Sequence, residues 1–104
     1  MINLGAMDYE FRSADLEEVY YEPKASLGHG ALVDKGFRKV TGKIAAANDE
    51  RDLRNLKGLH YHKLDGARSH QHALNSTGTW RLVVERIEKG NRIKLVIVSV
   101  EDYH

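Results

Sequence analysis

A chain of 104 residues makes one domain, able to bury about two-thirds of the surface its unfolded form exposes. Its 41% apolar and 30% charged content is that of a globular protein, and the lack of cysteine excludes disulfides and thiolate chemistry. A net charge of +1 excludes recognition of nucleic acid by bulk charge alone, so the placement of basic residues has to be read instead.

Met1 to Ala6 lacks the basic start and long apolar segment of a signal peptide, and no apolar run approaches the ~20 residues of a membrane span. A cytoplasmic protein is expected, with residues 1–6 a loose extension and Met7 an alternative start. Met7, Tyr9 and Phe11 alternate with Asp8, Glu10 and Arg12, which is the period of a strand. Ser13 and Asp15 then supply cap chemistry for a short helix whose apolar stripe is Leu16, Val19 and Tyr20, and which Pro23 ends.

Lys24 to Gly30 reads as a loop. From Ala31, the spacing of Val33, Phe37, Val40, Ile44 and Ala47 predicts one face of a second helix, stopping near Asn48-Asp49. Gly36 and Gly42 each cost such a helix about 1 kcal/mol relative to alanine. Glu50 to Lys57 reads as a polar connector with a short turn at Leu53 and Leu56.

The rest reads as strand. Ser69 to Asn75 is a weak strand and Ser76-Thr77-Gly78 a turn. Thr79 to Glu88 is a strong strand with Trp80, Leu82 and Val84 on one side. Lys89-Gly90-Asn91 is a hairpin turn, and Arg92 to Tyr103 is the strongest strand, central because Val96-Ile97-Val98 is apolar on both faces. The expected fold class is α+β, in the order β-α-α-β-β-β, with two helices on one face of an antiparallel sheet.

The last strand runs into Asp102-Tyr103-His104, a carboxylate, a phenol and an imidazole. A two-residue period sends Asp102 and His104 to one face and Tyr103 to the other. A carboxylate beside an imidazole can orient the ring and hold it protonated, whereas the plain alternative is an exposed polar tail. Basic residues beside aromatics form a second group: Lys57, Tyr61, Lys63, Arg68 and Arg81. Arg81 can pair with Glu85 or Asp102, or fork onto a phosphate. The pairs His60/His62 and His70/His72 have the spacing for a divalent metal, but they are equally ordinary polar residues, and no metal is expected. Gly36 to Lys43 and Gly28-His29-Gly30 fail as phosphate loops on spacing and context.

Three segments together carry a resemblance: His62-Lys63-Leu64-Asp65-Gly66-Ala67-Arg68, Gly78-Thr79-Trp80-Arg81-Leu82, and Val98-Ser99-Val100-Glu101-Asp102-Tyr103-His104. They are similar to segments of the HigB/RelE superfamily of bacterial toxins, and Phe11-Arg12-Ser13 before an acidic helix agrees in layout. The resemblance spans nearly the whole chain, strongest in its second half. It implies a RelE-like fold and a ribosome-dependent, metal-independent endoribonuclease without cofactor. Its substrate would be mRNA on the 70S ribosome. A cognate antitoxin, HigA-like and of helix-turn-helix type, would neutralise it and make any contact with operator DNA.

By the same resemblance the catalytic positions are His62, Asp102, Tyr103 and His104. Arg81 falls on the scissile phosphate, and Lys57, Lys63 and Arg68 lie along the RNA. Which histidine is base and which acid stays open. The chain departs from the pattern at Asp65 (a lysine in the family form), Asn75 (an arginine) and His72 (a tryptophan), which thins its basic surface. The alternative on the same fold is a ParE-like toxin that binds DNA gyrase, or an inactive binding protein.

Overall fold

Local chemistry sets the first elements of the structure, a computed structural model that describes residues 7–103. The expectations for residues 1–6 and for His104 lie outside the described residues. Strand β1 (Asp8–Phe11) leads into helix α1 (Ala14–Tyr21), where the Ser13 side chain accepts a hydrogen bond from the Leu16 amide as the cap. Helix α1 stops two residues short of Pro23 and buries Leu16 and Val19. Helix α2 (Ala31–Ala46) buries the expected Val33, Phe37, Val40 and Ile44.

Arg38 ties these two helices together. Its guanidinium donates to the carbonyls of Val19, Glu22, Pro23 and Ala25, satisfying the free carbonyl end of α1 and the loop beyond it. Its place in a basic segment therefore reflects a structural task.

The connector after α2 is a third helix, α3 (Glu50–Asn55), which corrects the expected two-helix order. Asp49 caps it by accepting from the Arg51 and Asp52 amides, and Leu53 is fully buried beneath it. Two further short elements follow, strand β2 (His62–Lys63) and a 3₁₀ turn at Gly66–Arg68. Strands β3 (Gln71–Asn75), β4 (Trp80–Lys89) and β5 (Arg92–Asp102) complete the chain.

Among the described residues the sheet has five strands in the order β1-β5-β4-β3-β2. It is mixed, because β1 runs parallel to β5 while the other neighbours are antiparallel. The expected wholly antiparallel sheet is corrected on that point. Strand β5 is an interior strand, as its apolar run requires, and β4 is the middle one.

One side of the sheet carries the main core, where Phe37, Ile44 and Leu53 of the helices meet Leu74, Leu82, Val84, Leu95 and Ile97. The other side holds a small cluster of Leu64, Ala73 and Val83. A β-bulge interrupts the β4–β5 ladder: Val83 pairs with Ser99 and Val84 with Ile97, leaving Val98 as the extra residue. Beyond it the alternation of β5 is reversed. Val100, opposite Leu82, joins the helix side, and Ser99 and Glu101, opposite Val83 and Arg81, take the open side.

Candidate active site

The open side of the sheet ends in a cleft of about 240 Å³ lined by His62, Lys63, Leu64, Asp65, Arg68, Arg81 and Tyr103. Four of the seven are cationic or imidazole side chains. They come from three separate parts of the chain and meet only because β2, β3, β4 and β5 lie side by side. His62 pairs with Ala73, and Ala73 with Val83, two residues along the same face from Arg81.

Arg81 occupies the floor, with 14% of its side chain exposed. Its guanidinium lies 4.1 Å from the centre of the Tyr103 ring, and one terminal nitrogen is 4.0 Å from a Glu101 oxygen. Its Nε is buried without a hydrogen-bond partner. A fixed cation on a polar floor is suited to an anionic oxygen.

Glu101 is the residue that sequence reasoning missed. Both of its oxygens accept from the fork of Arg68, at 2.9 and 2.7 Å, and Ser99 donates a further bond at 2.8 Å. The Arg68 fork holds its carboxyl below the ordinary carboxylate range against the opposing effect of burial. Arg68 also donates from Nε to Gln71, so this arginine is locked in place. The available signal was the alternation Ser99, Glu101, Tyr103 against Val98 and Val100.

His62 donates from Nδ1 to the His60 carbonyl across 2.7 Å, which leaves Nε2 as the ring's proton acceptor. The carbonyl is aimed by an unusual backbone: His60 has φ of 48°, the left-handed region that non-glycine residues seldom adopt. The His60 ring packs against His62 with centres 4.6 Å apart and the planes tilted by 42°.

Two other candidates, Asp102 and Lys57, lie elsewhere. Asp102 pairs across the ladder with Trp80 and accepts a hydrogen bond from the Thr79 hydroxyl, which puts it on the helix side, away from the cleft. The bulge at Val98 thus brings Tyr103 to the cleft and turns Asp102 from it. Lys57 lines a different groove, beside Lys39 and Lys43. His104 lies outside the described residues.

The other histidines are dispersed. His70 sits 3.8 Å from Glu85, and His72 is buried and stacked on Tyr61, with burial pushing its pKa down. Among the described residues no group of three histidine, aspartate or glutamate side chains is arranged to hold a metal ion. No described helix is long and apolar enough to cross a membrane. No protein-family model matches the chain, and no curated protein matches it.

Proposed function

We propose that the chain is a HigB-like toxin of RelE-like fold, an mRNA endoribonuclease that acts on the ribosome and is held in check by a cognate antitoxin. One observation carries this reading: His62, Arg81 and Tyr103, separated in sequence, line one cleft together with Lys63 and Arg68. Cleavage of RNA by its own 2′-hydroxyl needs a base, a group to bear charge at phosphorus, and an acid for the leaving 5′-oxygen.

His62 supplies the base through Nε2, its other nitrogen being engaged with the His60 carbonyl. The 2′-oxygen attacks the adjacent phosphorus as its proton passes to His62. Arg81 and Lys63 bear the negative charge that grows on the phosphoryl oxygens, Arg81 from the cleft floor where 14% of its side chain is exposed. The acid comes from the tail, where Tyr103 or His104 gives a proton to the departing oxygen. Acid–base assistance of this kind contributes about 10² to 10⁴ in rate.

Glu101 favours a second reading. A carboxylate bound to Arg68 beside the cleft reduces the positive field that a phosphate would meet, which suits a protein that inhibits its target by contact, as ParE-like toxins do. Primer extension on translated messages after induction separates the two. The nuclease reading expects discrete cuts that disappear in His62→Ala and fall at least ~100-fold in Arg81→Gln, both variants remaining folded. Growth arrest without cuts, undiminished in both variants, would establish inhibition by contact.

A further inference from the structure

Between α2 and the β3–β4 turn lies a groove of about 190 Å³ whose walls include Lys39, Lys43, Lys57, Asn75, Ser76 and Thr77. Lys39 and Lys43 are one helical turn apart on α2, and Lys57 approaches from the loop after α3. Among the described residues no carboxylate lines the groove, and none of the three lysines has an ion pair or hydrogen bond. In a chain of net charge +1, three uncompensated cations around one depression are a strong local concentration. Ser76, on the wall, keeps a buried hydroxyl with no partner.

We infer that this groove is a second binding site for the phosphodiester backbone of RNA, distinct from the cleft at Arg81. Lysine is depleted at protein–protein interfaces, whereas counterion release makes clustered lysines effective against phosphates. Asn75, exposed on the groove wall, adds a neutral donor beside them. The site also lies close to the cleft: Asn75 pairs directly with Arg81 across the β3–β4 ladder, so backbone only ~5 Å apart serves both. From the preceding reading the inference takes only that the polyanion is RNA.

The test uses the full chain and a labelled single-stranded 2′-O-methyl oligoribonucleotide, which lacks the attacking hydroxyl and cannot be cleaved. Anisotropy titrations across a salt series compare wild type with the triple variant Lys39→Gln, Lys43→Gln, Lys57→Gln. A control of equal charge loss carries Lys24→Gln, Lys89→Gln and Lys94→Gln. The groove variant is expected to bind at least ~10-fold more weakly, with a log K against log salt slope shallower by about two units. The control should stay within about twofold of wild type.

Equal loss in the control, wild-type affinity in the groove variant, or no binding by wild type overturns the site. So does a poly-glutamate peptide that competes as well as RNA. Tighter binding of the single strand than of an RNA hairpin assigns the groove to the message, and the reverse order assigns it to folded ribosomal RNA; either supports it. Failure of cleavage on ribosomes with groove binding intact would remove the toxin reading and leave the groove standing.

Discussion

Glu101 sets the electrostatics of the cleft, and its removal separates two effects that act in opposite directions. The carboxylate holds Arg68 by a two-point fork and lies 4.0 Å from Arg81. A phosphate seated on Arg81 therefore meets a negative charge beside the cleft. At ~4 Å that repulsion is about 1 kcal/mol in water and about 4 kcal/mol at an effective dielectric of 20. Glu101→Gln is expected to tighten binding of an uncleavable oligoribonucleotide at least ~5-fold at low salt, because 1 kcal/mol corresponds to that factor. The same change should lower stability by only about 0.5–1 kcal/mol, since the pair is partly exposed and screened by solvent. Anisotropy and thermal unfolding measure the two, and unchanged affinity would show that Glu101 does not face the bound phosphate. The sequence displays Tyr103 and Arg81 plainly but hides Glu101. A period of two carried through to the terminus assumes an unbroken ladder, and one extra residue at Val98 reverses which side chains reach the cleft.

At the scale of elements, the close approach of α2 to the β3–β4 turn depends on Gly36. A methyl group there would collide with the Thr77 and Ser76 hydroxyls, and Thr77 is already fixed by its bond to the Leu32 carbonyl at 3.1 Å. Alanine normally strengthens a helix relative to glycine by about 1 kcal/mol. At this position the steric cost, typically about 1–3 kcal/mol for overpacking, outweighs that gain. Gly36→Ala is therefore expected to lower stability by up to about 2 kcal/mol, read as a shift in urea midpoint with unchanged slope. Gly42→Ala, whose nearest neighbour is the Tyr20 hydroxyl at 3.8 Å, should be neutral or stabilising. A stabilised Gly36→Ala would contradict the packing.

Elements were legible in proportion to their length. The apolar face of α2 and the β4–β5 hairpin repeat their periods several times. Helix α3 has six residues and β2 two, too few for periodicity to register. The parallel partnership of β1 is a long-range choice made by the helices that separate β1 from β5, and no local pattern encodes it.

The whole molecule is a sheet with one side given to helices and the other to the candidate site, and one buried carboxylate spans the join between α3 and the sheet. Glu50, 7% exposed, accepts hydrogen bonds from the Tyr61 hydroxyl at 2.6 Å and from Arg86 Nε at 2.8 Å, with Arg54 3.8 Å away. Burial alone would push its pKa up, but the bonds from Arg86 and Tyr61 and the charges of Arg86 and Arg54 leave it below the ordinary value. A carboxyl with a depressed folded pKa binds protons more readily once unfolded. Its contribution is therefore complete above the unfolded pKa of about 4.3 and is lost as pH falls through the lower folded value. Asp8, paired with Arg92 at the sheet edge, is also depressed, yet that pair is half exposed and contributes little. In thermal unfolding between pH 6 and pH 3, Glu50→Gln should start lower at pH 6 by about 1–3 kcal/mol and then decline less steeply than wild type. Asp8→Asn should follow the wild-type curve closely. A Glu50→Gln curve as steep as wild type beside a flattened Asp8→Asn curve would mean that acid sensitivity resides in the exposed pairs around β1, and that the contact between α3 and the sheet is held by apolar packing at Leu53.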